Sequence, residues 1–200
     1  MAGQVEERLR ELAQKLRKQR DPHLWELARR IEEFLQHPQK QVRHSESRFY
    51  QTIREKIDTP AGAYHIHSTH TLASREKGTV SGPTTIDHPS LGPITWWISN
   101  AQKATYILTE NAALLATRGS IKEVDVAHPA REPIPYRTPD EDLLVHIPHK
   151  NREPGDVMAV IHVEREGETV KTTIISRKPT EERKQPWHRR IPRRLLRRTR

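Results

Sequence analysis

The spacing of apolar residues changes along this chain, and the change sets the fold class that the chain can adopt. Near the amino terminus, apolar residues recur every three or four positions between charged ones, as on one face of an amphipathic helix. The first stripe consists of Val5, Leu9, Leu12, Ala13 and Leu16. A second stripe follows Asp21-Pro22, a typical N-cap and first-turn pair. We therefore predict an N-terminal helical hairpin.

A third helix is predicted from about Glu46 to Ile57. Phe49, Ile53 and Ile57 lie at fourfold spacing, which fits one helix face. Pro60 follows closely and would end the helix. The first sixty residues are thus interpreted as a helical segment.

Beyond residue 60, short apolar runs alternate with Gly and Pro, a pattern that favours strands and loops. Strands are predicted at 63–72, 94–98, 120–126 and 143–147, and a hairpin at 157–164 and 169–176. One helix is predicted between them, because Ser99 and Gln102 form a capping box and Gly119 is a natural terminator. The run Thr105-Tyr106-Ile107 also permits a strand there.

The predicted fold class is α+β: an N-terminal helical hairpin plus helix, then a mainly antiparallel sheet with one inserted helix and a disordered basic C-terminal tail. The expected divisions are a helical segment at 1–60, a mainly β domain at 61–178 and an Arg-rich tail at 179–200. Hydrophobic residues make up 33% of the chain. This low content indicates that part of the chain is not packed into a core.

The net charge of +9 is distributed unevenly along the chain. Residues 1–60 carry a net +3, residues 61–178 a net −1, and residues 179–200 a net +7. A basic tail on a nearly neutral body indicates an anionic partner, since Arg side chains bind phosphates and release counterions from nucleic acid. The predicted nucleic-acid-binding residues, RNA or DNA, are Trp187, Arg189, Arg190, Arg193, Arg194, Arg197, Arg198 and Arg200.

Other interpretations of the tail remain open. It also fits a solubilising segment or a nuclear-import signal. A membrane-surface helix built on Ile191, Leu195 and Leu196 is disfavoured by Pro192. No transmembrane segment is expected.

The run His65-Ile66-His67 is the main candidate for chemistry. On a strand, His65 and His67 share one face, where they can hold a divalent metal such as Mg²⁺ or Mn²⁺ or act as acid and base on a phosphodiester. Glu164 follows His162 on one face of another predicted strand. The candidate catalytic residues are therefore His65, His67 and Glu164, with His65 and His67 also the candidate metal ligands.

The same triplet resembles the HUH family of replication initiators and relaxases. In that family a His-hydrophobic-His strand holds the metal and a helical Tyr attacks a DNA phosphate. The resemblance implies a Tyr nucleophile, which would be Tyr106 or Tyr50 here. The family's Tyr-x-x-Lys order is reversed at Lys103 and Tyr106.

Several classes are excluded or left open by what the chain contains. It has no cysteine, which excludes thiolate zinc sites and Cys nucleophiles. It shows neither a P-loop nor a dinucleotide fingerprint. No secretory signal is recognisable, so a cytoplasmic, nuclear or virion location is expected. Three functions follow as hypotheses: a nucleic-acid-binding protein, a histidine-dependent nuclease or HUH-like strand transferase, and a self-assembling structural component of a nucleoprotein particle.

Overall fold

The computed structural model describes residues 2–74, 76, 78–127, 131–139 and 142–179. Within these residues the chain has two helices followed by twelve strands. The eight predicted nucleic-acid-binding residues of the tail, from Trp187 to Arg200, lie outside the described residues.

Two amphipathic helices open the chain. They are α1 (Ala2–Arg17) and α2 (Pro22–Gln36). Asp21 is the N-cap of α2, and its carboxylate accepts a hydrogen bond from the backbone N–H of His23 at 2.9 Å. The helices pack against each other, and Arg17 of α1 forms an ion pair with Glu32 of α2 at 2.6 Å.

The twelve strands form two antiparallel sheets. The strands are β1 (Lys40–Arg48), β2 (Tyr50–Thr59), β3 (Gly62–Ser74), β4 (Thr79–His88), β5 (Gly92–Ala101), β6 (Lys103–Thr109), β7 (Ala112–Thr117), β8 (Ser120–Val126), β9 (Ile134–Arg137), β10 (Leu143–Pro148), β11 (Val157–Glu166) and β12 (Thr169–Arg177). The seven-stranded sheet has the order β1-β12-β11-β6-β7-β10-β9, and the five-stranded sheet has the order β2-β3-β4-β5-β8. The class is therefore α+β, as predicted.

The molecule has three layers and two cores. One core lies between the two sheets and includes Tyr64, Ile86, Trp96, Tyr106 and Ile161. The other core lies between the helices and the seven-stranded sheet, and includes Leu12, Leu27, Ile107, Leu114 and Val160. One face of the five-stranded sheet packs against the seven-stranded sheet, and its other face is lined by exposed and half-buried side chains.

The predicted third helix at 46–57 is wrong, because this segment belongs to strands β1 and β2. Gln51, Ile53, Ile57 and Thr59 are buried, at spacings that are multiples of two. A fourfold spacing fits a strand as well as a helix, and the pairing of β2 with β3 decides between them. The predicted boundary at residue 60 falls in the turn of this β2–β3 hairpin.

The predicted helix between Ser99 and Gly119 is also wrong, because β6 and β7 form a hairpin there. Nearly every residue of these strands is buried, so the segment shows no polar alternation. Tyr106 and Leu115 enter the core between the sheets, whereas Ile107 and Leu114 contact the helices. Strands covered on both faces are continuous apolar runs, which periodicity does not distinguish from a helix.

The chain passes between the sheets at sharp corners. Phe49 has a positive φ of 69° between β1 and β2, and Asn100 has a φ of 55° where β5 approaches β6. Gly119 lies between β7 and β8, where a Cβ would stand only 2.6 Å from the Cα of Ala101. Glycine is therefore required at that crossing, because two corners of the sandwich touch there.

A buried carboxylate binds basic side chains of α1 and so holds this helix against the seven-stranded sheet. Asp142, directly before β10, is 0% exposed and accepts hydrogen bonds from Arg8 at 3.2 Å, from Lys15, and from Arg118 at 3.1 Å. Burial opposes ionisation, but Lys15 and the charges of Arg8 and Arg118 outweigh it and hold the pKa of Asp142 below its usual value. The acidic residue is thus part of an ion-pair network that positions the helix.

Candidate functional site

His65 and His67 lie next to each other on the outer face of the five-stranded sheet. Both are exposed on β3, whereas their neighbours Tyr64 and Ile66 are buried between the sheets. Strand alternation therefore sends the two imidazoles to the same side, away from the core.

Basic side chains of the edge strand β2 flank these histidines. In the register of β2 and β3, Arg54 is opposite His67 and Lys56 is opposite His65. Arg54 Nε donates a hydrogen bond to His67 Nε2 at 3.3 Å. The four side chains line a shallow depression of about 480 Å³. On the other side of β3, Asp87 of β4 is opposite His65.

The predicted metal ligands, His65 and His67, form a pair on β3. Among the residues that the structure describes, no group of three or more His, Asp or Glu side chains is placed to hold a metal ion. His65 and His67 thus supply two of the ligands that a Mg²⁺ or Mn²⁺ site would need.

His162 and Glu164 lie on the helix side of the seven-stranded sheet. The Nδ1 of His162 is 2.8 Å from the hydroxyl of buried Thr105, and its Nε2 is 3.4 Å from Glu164 Oε2. The hydrogen bond from His162 lowers the pKa of Glu164, and burial opposes this effect. His162 is therefore a buried histidine with hydrogen-bond partners on both ring nitrogens.

The structure does not bring Glu164 together with His65 and His67. Ile161 and Val163 of β11 point into the core between the sheets, so Glu164 points out of the opposite side. His65 and His67 point out of the other sheet. Both sheets and the core between them separate Glu164 from the histidine pair.

The two candidate tyrosine nucleophiles differ in accessibility. Tyr106 is buried, its hydroxyl donates to Thr84 at 2.9 Å, and burial raises its pKa. Tyr50 is exposed on β2, on the same face as Arg54 but four residues away, which is about 13 Å along a strand. Neither side chain lies beside the histidine pair.

The adjacent tryptophans of β5 face opposite sides of the sheet. Trp96 is buried, with its ring centroid 5.3 Å from that of Tyr106. Trp97 is 44% exposed on the same outer face as His65 and His67. We call this surface, with Arg54, Lys56, His65, His67 and Trp97, the open face.

A second concave site lies at the N-terminus of α2, where sequence reasoning predicted none. It is a cavity of about 430 Å³ whose basic and imidazole side chains are His23, Arg131, His146, His149, Lys150 and Arg152. Burial lowers the pKa of His146 to about 4. The only sequence signal is the density of His, Lys and Arg at 146–152, since Asp21 and His23 join it through tertiary packing.

Neither helix of the described chain has the length and apolar character needed to cross a bilayer. No protein-family model, curated protein or solved structure matches this chain. The candidate sites are therefore assigned from the residues and the geometry described above.

Proposed function

We propose that this protein binds nucleic acid, with the Arg-rich C-terminal tail neutralising phosphates and the folded body presenting that tail. The observation that carries the proposal is the separation of charge: the 22 residues from 179 to 200 hold a net +7 of the total +9. No acidic residue follows Glu182, so the arginines beyond it have no local sequence partner.

The ion pairs of the folded body support the assignment of phosphate binding to the tail. Arg30 and Arg177 both bind the carboxylate of Asp156 at 2.6 Å, and Arg29 pairs with Glu26 and Glu33. The cations Arg8 and Lys15 are used to hold Asp142. Many basic groups of the body thus form ion pairs that stabilise the fold, whereas the net positive charge of the tail sequence is available to neutralise phosphates.

The open face is the folded surface best suited to assist the tail. Arg54 and Lys56 offer positive charge on its β2 side, and Trp97 offers an aromatic surface for a base. Glu123 and Asp125 of β8 lie at its other side, opposite Trp97 and Thr95. A nucleic-acid strand is therefore expected to follow the basic β2 side of the open face, away from the carboxylates of β8.

The proposal is tested by measuring the binding of fluorescently labelled single-stranded RNA and DNA to three proteins. These are the full chain, a chain ending at Lys178, and a chain whose tail arginines are changed to Gln. Both variants are expected to bind at least about tenfold more weakly than the full chain. A tail with Arg changed to Lys is the matched control, since it keeps the charge. Unchanged binding after truncation would overturn the proposal.

Strand cleavage is the second function, favoured by the exposed His65 and His67 beside Arg54. Labelled strands incubated with Mg²⁺, Mn²⁺ or chelator and run on a denaturing gel test it. Shortened products that disappear in His67→Ala would assign cleavage to the pair, with binding intact. Intact strands under all conditions would remove this function and leave the binding proposal in place.

A structural role in a nucleoprotein particle is a variant of the same proposal. It requires self-association, which light scattering detects as a mass that rises with protein concentration. A constant monomer mass with and without nucleic acid would contradict the structural role and would leave binding unaffected.

A further inference from the structure

The cavity at the N-terminus of α2 is separate from the open face and from the tail. The cavity is lined by residues of β9 and β10, of the N-cap and first turn of α2, and of the segments that flank the two strands: Ile134, His146 and Pro148, Asp21 and His23, and Arg131 with residues 149–153. Its volume of about 430 Å³ is in the range of small-molecule sites.

The wall of the cavity includes a buried imidazole, that of His146. This residue is 1% exposed, and neither of its ring nitrogens has a hydrogen-bond partner among the described residues. Its neighbours Val145 and Ile147 point into the core between the sheets, so its ring lies on the α2 side, where it lines the cavity. A buried polar group without a partner is costly, and a bound molecule that supplies one removes the cost.

The backbone amides at the start of α2 are already satisfied. The N–H of His23 donates to the Asp21 carboxylate, and the N–H groups of Leu24 and Trp25 donate to the Asp21 carbonyl at 3.1 and 3.2 Å. These helix amides are therefore not free for a ligand, and the side chains that line the cavity are its main source of donors.

Those side chains are mainly cationic. Arg131, Lys150 and Arg152 line the cavity, and none of them forms an ion pair within the part of the chain that the structure describes. Two carboxylates also line it, Asp21 and Glu153, but Asp21 already accepts a hydrogen bond from the Tyr136 hydroxyl. Three unpaired cations repel a metal ion and attract an anion.

We infer that this cavity binds a phosphate monoester, carried by a free nucleotide or by the end of a nucleic-acid strand. A phosphate presents three terminal oxygens, which match donors that come from β10, from the segment before β9 and from the loop after β10. Arg131 and Arg152 supply guanidinium groups that suit phosphate geometry, and His146 supplies one ring N–H. This site does not require the tail, so it can fail or hold independently of the proposed function.

Calorimetric titration of the full chain tests the inference. The ligands are inorganic phosphate, adenosine, adenosine 5′-monophosphate, and nucleic-acid strands with a 5′-phosphate or a 5′-hydroxyl end. We expect saturable, one-to-one binding of the monophosphate and none of adenosine. Arg152→Gln and Arg131→Gln are each expected to weaken this binding by at least about tenfold. Lys122→Gln, which removes an exposed cation from β8, is the matched control and is expected to bind like the unchanged chain.

The His146 ring gives a readout that the tail does not affect. Nitrogen-15 NMR of the imidazole is expected to show its signals shifting as the monophosphate saturates the site, and its pKa rising from about 4. Tighter binding of the 5′-phosphorylated strand than of the matched 5′-hydroxyl strand would identify a strand end, because the tail binds both strands alike. Equal binding of the two strands, with saturable binding of the monophosphate, would identify a free nucleotide. Equal binding by the Arg variants and the control, or an unshifted His146 signal, would overturn the inference.

Discussion

The two outer faces of the sandwich are built from the same kind of strand but have opposite surroundings. On the seven-stranded sheet, Ile107, Leu114 and Val160 lie under the helices. On the five-stranded sheet, the corresponding outward positions include Arg54 and His65, which are exposed. The covered face is therefore expected to determine stability, and the open face has room for a partner.

This difference also explains where the histidines are placed. His146 and His162 are buried on the covered face, whereas His65 and His67 are exposed on the open face. A buried histidine must be satisfied by the protein or by a ligand, but an exposed one is satisfied by water. Substitutions on the two faces should therefore have very different consequences for folding.

The largest expected effect is that of Asp142→Asn. This change removes the charge that compensates Arg8 and Lys15 under α1, and uncompensated buried cations cost about 4 kcal/mol. Chemical unfolding in urea measures the loss. Asp125→Asn, on the exposed edge strand β8, is the matched control and should change the free energy of unfolding by less than about 0.5 kcal/mol. Similar losses for the two variants would contradict the assigned role of Asp142.

The next effect is that of Leu114→Ala on the covered face. Leu114 is fully buried between β7 and the helices, and truncation to Ala is expected to lower the free energy of unfolding by about 3 kcal/mol. Thr52→Ala, at an exposed position of β2, should cost less than about 1 kcal/mol. If the two variants lost the same stability in urea, the helices would not be covering that sheet.

The effect expected from pH is smaller for each residue concerned. Burial lowers the pKa of His70, His88 and His146 to about 4, from 6.5 in the unfolded chain. Below pH 6.5 the unfolded chain therefore binds protons that the folded chain does not bind. Stability is fully present above pH 6.5 and falls as pH drops toward 4, by up to about 1.4 kcal/mol per pH unit for each histidine.

Urea unfolding between pH 6.5 and about pH 5 measures this slope above the range where most carboxylates titrate. His70→Gln should reduce the slope by one proton. Thr52→Ala, which removes no titratable group, should leave the slope unchanged. A slope that is the same in His70→Gln would show that His70 is not buried in its neutral form.

Local pattern was sufficient for the two helices and for β3, each of which has one face in water. The Asp21-Pro22 pair and the apolar stripes located the two helices, and alternation placed His65 and His67 on one side of β3. It failed for β6 and β7, because both of their faces are covered. It failed for β2 because a spacing of four residues suits both a strand and a helix.

The relation between distant elements could not be predicted from local pattern. Whether Glu164 joins the histidine pair depends on which sheet and which face each strand occupies, a property of sheet order. The cavity at the N-terminus of α2 likewise requires α2 to begin beside β10, which lies more than a hundred residues later in the chain. His146 and Arg152 were visible in the sequence, but their association with Asp21 was not.

The salt dependence of nucleic-acid binding tests the central claim most directly. If the seven arginines beyond Trp187 neutralise the phosphates of a single strand, the logarithm of affinity should fall against the logarithm of salt concentration with a slope of about −5. The chain ending at Lys178 should show a much shallower slope, because only Arg54 and Lys56 of the open face remain to contact phosphates. Equal slopes for the full and shortened chains would mean that the folded body, and not the tail, neutralises the phosphates.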